Sequence, residues 1–357
     1  MAGTPMMLGA LDCLGAKGAV LLGMLGTPCA GVIFLAAREG AEAWPLLLVG
    51  AAQGSLDGLI TAAGKTYMVT VARPAKLGVA TALYFIGSTL GSAVGSAAGG
   101  ALLSATDSSF ELLGLIMVCG SGVVLAAAAA LLPAGPATAD GAKPKAAGSE
   151  GGRGGYAGIL RQQSVWSLAG WQCLRTVFWG AASLSMPFLL FEFTRSQLVV
   201  GVFQLVANLA AMAAMLTVGA LSDRGGIQRR RTVTITSLAA LALSSAMLAI
   251  SALLRSPSLL FGSGVFATAV AWTISGQVTP LAKAAAEEGQ ESQLMGIIVS
   301  AWAVGALGGA QTHGRLCETA PAAMFGGLAV VMVMCTALAK ATFDGPGGLV
   351  ERRGDVP

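Results

Sequence analysis

The chain has 357 residues, 55% of them hydrophobic and only 11% charged, with a mean hydropathy of +0.75 and a net charge of +4. A water-soluble globule needs about a quarter of its residues charged to cover its surface, so that class is excluded. The 50 glycines fit the close-packed helices of a polytopic membrane protein. With one His in the chain, a two-His metal site is excluded by count, and neither metal nor cofactor is expected. The six cysteines have no C-x-x-C spacing and most lie in or beside apolar runs, so they read as free thiols. Met1 to Ala16 lacks a basic stretch ahead of its apolar residues and does not read as a cleaved signal peptide.

A bilayer core of about 30 Å takes about 20 apolar residues of helix, because only a helix satisfies its own backbone polar groups there. Charge-free runs of that kind occur at Gly18–Ala37, Leu77–Thr106, Leu112–Ala139, Ser196–Ser222, Thr232–Leu254, Ser256–Ala282, Ser292–Gly314 and Thr319–Ala339. Two more contain a single charge: Trp44–Gly64 holds Asp57, and Ser164–Phe191 holds Arg175. The chain is therefore expected to be all-α, with ten transmembrane helices in two bundles, four before a linker and six after it. The linker, from Pro133 to Gln163, is rich in Gly, Ala and Pro and has little that could form a core.

If successive spans alternate in direction, sixteen of the 21 basic residues fall on the linker's side of the membrane. They include Lys17, Lys65, Arg73, Lys76, Arg224, Arg229, Arg230, Arg231 and Lys283. Four lie opposite, Arg38, Arg195, Arg255 and Arg315, and Arg175 is within a span. That asymmetry places the linker and C-terminus in the cytoplasm of a multi-pass integral membrane protein. The basic residues are thereby accounted for, and nucleic-acid binding has no support.

Between the sixth and seventh spans stands VGALSDRGGIQRRRTV, in which Gly219, Asp223, Arg224 and Gly226 precede a triple-Arg run. Gly permits close helix approach, and Asp can bond Arg and face the positive N-terminus of a neighbouring helix. The segment resembles the loop signature of the major facilitator superfamily, roughly G-x-x-x-D-R-x-G-R-R, with Ile227 and Gln228 at the usual basic positions. A weaker echo, MLGALDCLGAKGAV, keeps Asp12, Gly15 and Lys17 at the same spacing. The resemblance implies an N-terminal bundle over 1–132 (the end of the family's second helix and helices three to six) and a cytoplasmic linker over 133–163. A C-terminal six-helix bundle over 164–341 and a cytoplasmic tail over 342–357 would follow. The first helix and most of the second have no counterpart, which reads either as a sequence that begins late or as a shortened paralogue. A third echo is IGSTLGSAVGSAAGGALL, with Gly87, Gly91, Gly95 and Gly99 on one helical face. It is expected to pack backbone to backbone. It is also similar to the family antiporters' G-P-x-x-G-G, with Ser96 in place of Pro.

Charge at membrane depth costs about 2.5 kcal/mol or more and usually serves function. The family alignment puts Asp57 and Arg175 in the fourth and seventh helices, which with the first and tenth line the family's central cavity. Gln53, Asp57 and Thr61 share a helix face, as do Gln172, Arg175 and Trp179. Thr273 and Gln277, with Trp272 alongside, and Gln204 and Asn208 make two further pairs. These are the candidate substrate and coupling residues; the alternatives are an Asp57–Arg175 ion pair or polar contacts between helices. Glu192 is expected at a membrane interface and His313 in solvent near an outer loop, while Glu287, Glu288 and Glu291 read as a solvated helix start.

The resemblance implies a secondary transporter moving a small-molecule solute by alternating access, with a proton as the candidate coupling ion. The other reading is a non-transporting membrane scaffold or receptor, with the oligomeric state open. No H-E-x-x-H, G-x-S-x-G or clustered carboxylates suggest an enzyme.

Overall fold

The computed structural model describes residues 14, 17–36, 43–71, 76–106, 109–132, 159, 162–285 and 291–344. Every regular element among them is helical. The helices are α1 (Gly26–Ala36), α2 (Ala43–Val71), α3 (Leu77–Ala105), α4 (Phe110–Leu131), α5 (Gln163–Thr194), α6 (Gln197–Asp223), α7 (Gly226–Leu253), α8 (Pro257–Ala285), α9 (Glu291–Leu316) and α10 (Pro321–Asp344). Ten spans long and apolar enough to cross a bilayer coincide with the ten expected, the first running from Lys17 to Ala36. Pro257 and Pro321 open α8 and α10, where a missing N–H leaves no helical bond unmade. Ser109 and Ser196 cap α4 and α6, accepting from the main-chain N–H of Leu112 and Val199.

The seventh span differs from expectation. Its helix begins six residues early, at Gly226, so that Arg229, Arg230 and Arg231 lie in the first turns of α7 rather than in a loop. The linker apart from Ile159, Gln162 and Gln163, the tail beyond Asp344, Asp12, Gly15, Glu287 and Glu288 lie outside the described residues.

The chain forms two compact units, residues 1–71 with 98–153, and residues 72–97 with 154–357. In the first unit, α1 packs on α2 and α4. A Cβ on Gly31 of α1 would lie 2.8 Å from the carbonyl oxygen of Gly114 on α4, and one on Gly114 would lie 2.7 Å from that of Gly31. The two backbones therefore meet directly. Phe34 and Phe110 stack at one end of this pair. At the other, Lys17 Nζ donates to the carbonyl of Ala129 at 3.1 Å, a cation on one of the unpaired carbonyls that end a helix.

In the second unit the closest approach is between α5 and α9. A Cβ on Gly305 or Gly309 would collide with the main-chain carbonyls of Cys173 or Val177, and one on Gly180 with that of Ala306. Gly305 and Gly309 thus supply the backbone-to-backbone packing expected of α3. The α3 stripe does not: Gly87, Gly91 and Gly95 have nothing within 4 Å of where a Cβ would stand. Arg231 at the start of α7 forms a two-pronged pair with Asp344 at the end of α10, both bonds at 2.6 Å.

Polarity is distributed as lipid requires. Leu131, Leu198, Val123 and Leu253 are among the most exposed side chains, while Arg175, Gln172, Gln277, Ser185, Ser244 and Ser245 are buried. A soluble protein shows the reverse.

Candidate functional site

The expected site residues fall in both units, and each group is described within its own. In the first unit, Gln53, Asp57 and Thr61 do share one face of α2. Gln53 hydrogen-bonds the Asp57 carboxyl, and the Thr61 hydroxyl donates to the Asp57 carbonyl at 2.8 Å. Asp57 is exposed and looks across to α1, where a Cβ on Gly26 would come within 2.7 Å of its Oδ1. Glycine at 26 leaves the room that the carboxylate occupies.

In the second unit, α5 and α8 bring Arg175 into the interior, where it is only 3% exposed. Its Nε donates to Gln172 Oε1 at 3.1 Å, one turn back on the same helix. Its Nη1 donates to the carbonyl of Ala271 at 3.1 Å and to Ser275 Oγ at 2.9 Å, both on α8. All three partners are neutral, and no carboxylate among the described residues of this unit pairs with the guanidinium. Contact between helices, one of the alternatives raised by the sequence, therefore accounts for part of what Arg175 does. It leaves the charge itself uncompensated.

Aromatic rings adjoin this cation. Trp179, one turn along from Arg175, meets Trp272 edge to face at 5.4 Å between centroids. Trp272 in turn meets Phe85 of α3 at 5.5 Å, and Tyr84 meets Phe85 at 5.3 Å. Phe85 packs with Ala82 and Met215 in a small core, whereas Trp179, Trp272 and Tyr84 are half-buried.

Thr273 and Gln277 lie on another face of α8. At 100° per residue they are turned about 160° from Ala271 and Ser275, so they do not join Arg175. Thr273 donates to the carbonyl of Ala269 at 3.0 Å. Gln277 is 1% exposed, and its Oε1 has no hydrogen-bond partner. On α6, Asn208 is buried and Gln204 half-buried. Sequence reasoning missed Ser275 because a hydroxyl in a membrane helix commonly bonds its own backbone, as this one also does to Ala271 at 3.2 Å.

The loop motif is built as its chemistry suggests, with one exchange of partner. Asp223, the last residue of α6, accepts from the main-chain N–H of Gly78 at 2.8 Å and of Val79 at 2.9 Å, in the first turn of α3. Its ion-pair partner is Arg230, at 2.6 Å, while Arg224 is exposed. Gly219 faces Gly78, the carbonyl of Gly78 lying 3.0 Å from where its Cβ would be. Gly226 takes φ +59°, a conformation that glycine adopts freely.

At the opposite end of the unit, His313 is half-buried rather than solvated. Its Nδ1 lies 2.8 Å from Ser185 Oγ, and its ring stands edge to face on Phe188. Burial pushes the neighbouring Cys317 thiol up, a hydrogen bond with Ser185 opposes this, and Glu192 and Glu318 add to it. Glu192 itself is exposed near the end of α5.

Membrane-length helices with apolar side chains turned outward define a polytopic membrane protein. Residues 1–310 match the Major Facilitator Superfamily. The chain belongs to that family and is a membrane transporter, as the Gly–Asp–Arg–Gly spacing led us to expect. Two solved structures share the fold. One is the human organic anion transporter MFSD10 (TETRAN), at 16% identity and TM-score 0.73, with 94% of this chain and 80% of that one covered. The other is the E. coli fucose:proton symporter FucP, at 13% identity and TM-score 0.68, with 95% and 87% covered. Curated proteins give no match.

Proposed function

We propose that this protein is a secondary active carrier that moves a small organic anion by alternating access, with Arg175 holding the anionic group. The observation that carries the reading is the burial of Arg175 among neutral acceptors alone. A guanidinium removed from water needs a counter-charge, and a bound anion supplies it. With Nε and Nη1 of Arg175 engaged by Gln172, Ala271 and Ser275, its Nη2 is left to donate to a carboxylate or a similar oxyanion. MFSD10, with the same fold, is an organic anion transporter, which agrees with this assignment.

Asp57 is proposed as the group that accepts a coupling proton, being the acidic residue at membrane depth in the other unit. FucP, a proton symporter on the same fold, supports coupling of that kind. Gln53 positions the Asp57 carboxyl, and Gln172 positions Arg175. Of the remaining polar pairs, Gln204 with Asn208 is assigned to the solute path, whereas Thr273 and Gln277, on another face of α8 from Arg175, are not. The linker and C-terminus are assigned to the cytoplasmic side on the strength of the sixteen basic residues.

The test is anion uptake into proteoliposomes containing the full chain, with and without an imposed pH gradient. Arg175→Gln is expected to abolish anion uptake, and Asp57→Asn to remove its dependence on the gradient. Undiminished, gradient-dependent uptake in both variants would overturn the reading.

A further inference from the structure

We infer that the transported anion is an aromatic acid, whose flat ring is received by Trp179 and Trp272 while Arg175 takes its carboxylate. This rests on the anion reading above and adds the body of the solute to its charged end. The geometry comes from two registers meeting at one place. On α5, Trp179 follows Arg175 by one turn and shares its face. On α8, Trp272 adjoins Ala271, whose carbonyl accepts from Arg175 Nη1 at 3.1 Å. The two indoles meet at 5.4 Å, which sets a pair of rings one turn from a buried cation.

A lipid-facing or core role does not explain this pattern well. Core rings in the unit, such as Phe178, Phe203 and Phe325, are fully buried, whereas both indoles keep part of their surface open beside a group that is itself closed off. The contacts continue through Phe85 to Tyr84, so the apolar surface extends beyond one ring. Aromatic pairs favour each other through offset or edge-to-face contact, beyond the area that they bury. A saturated body of equal size gains only the burial. The cation discriminates in turn against an uncharged analogue of the same shape.

The experiment measures equilibrium binding to the purified full chain of 2-naphthoate, its fully saturated counterpart and 2-naphthamide. The wild type is expected to bind 2-naphthoate about tenfold more tightly than either analogue, a difference of about 1.4 kcal/mol. Trp272→Leu and Trp179→Leu should each cut the aromatic preference to about threefold or less. Trp272→Phe, which keeps a ring, should retain an intermediate preference and serves if the leucine variants do not fold. Equal binding of the aromatic and saturated acids, or a preference unchanged in folded tryptophan variants, would overturn the ring subsite while leaving the anion reading standing. Naphthamide binding as tightly as naphthoate would sink the anion reading instead. Absence of saturable naphthoate binding to the folded wild type would overturn the inference.

Discussion

Asp223 accepts two hydrogen bonds from the start of α3, from Gly78 N at 2.8 Å and Val79 N at 2.9 Å, across 145 and 144 residues of sequence. These are donors that no helix can satisfy internally, and they lie at the positive end of its dipole. Arg230 Nη2 also holds the carboxylate, 2.6 Å from the same Oδ1 that the Gly78 N–H reaches. Gly78 is needed for this approach, because a Cβ there would stand 2.6 Å from Asp223 Oδ1.

Asp223→Asn keeps the size of the side chain and loses its charge. Hydrogen bonds to a charged group contribute about 1.5–3 kcal/mol, and a loss of that order is expected, read as a lowered melting temperature of the purified protein. Gly78→Ala should cost as much or more with the carboxylate intact, since it forces Asp223 off its donors. A Gly78→Ala protein as stable as wild type would show that the contact is incidental.

Arg175 is expected to separate stability from function. Replacing a buried charge by an apolar side chain of similar volume is often neutral or stabilising, and α5 is already held to α9 by glycine contacts. Arg175→Met should therefore melt no lower than wild type, while its anion uptake falls at least tenfold. A fall of several kcal/mol in stability would mark Arg175 as chiefly a cross-link to Ala271 and Ser275.

How far the sequence foretold this protein depends on what each feature needs. Spans need only length and apolarity, and those are local properties, so all ten helices were legible. The capping role of Asp223 was readable because Gly219, Asp223 and Gly226 form a spaced pattern. Its partner was not, since choosing Arg230 over Arg224 requires knowing that α7 starts at Gly226 and turns residue 230 back toward residue 223. Glycine spacing was the least reliable guide. The long stripe on α3 and the shorter Gly305, Gly309 pair look alike as strings, yet only the latter meets a neighbouring backbone. Ser275 was hidden because its partner comes from another helix.

The two glycine sets predict opposite responses to the same kind of change. Gly309→Ala places a methyl group against the carbonyl of Val177 and the main chain of Gly180 and Ala181. Backbone atoms cannot move aside as a side-chain tip can, so α5 and α9 must separate and loss of the folded protein is expected. Gly91→Ala meets nothing within 4 Å and should leave expression and melting temperature unchanged. Size-exclusion profiles and thermal melting of both variants in detergent would check the contrast. Equal tolerance at both positions would mean that the α5–α9 contact is looser than the distances indicate.

Two tight connections carry a cost that can be removed. Arg195, between α5 and α6, has φ 53°, and Arg255, between α7 and α8, has φ 48°. A side chain in this left-handed region is strained by about 1 kcal/mol or more, and the helix C-terminus that Arg195 closes favours glycine for this reason. Its N–H still reaches the carbonyl of Phe191 at 2.7 Å, a bond that glycine would keep. Arg195→Gly is therefore expected to raise stability by about 0.5–1 kcal/mol, once the lost strain is set against the freer unfolded chain. Arg255→Gly should act in the same direction, and the pair should be nearly additive because the turns are separate. Thermal melting of the single and double variants reads this directly. A destabilised Arg195→Gly protein would show that its guanidinium makes a contact outweighing the backbone strain.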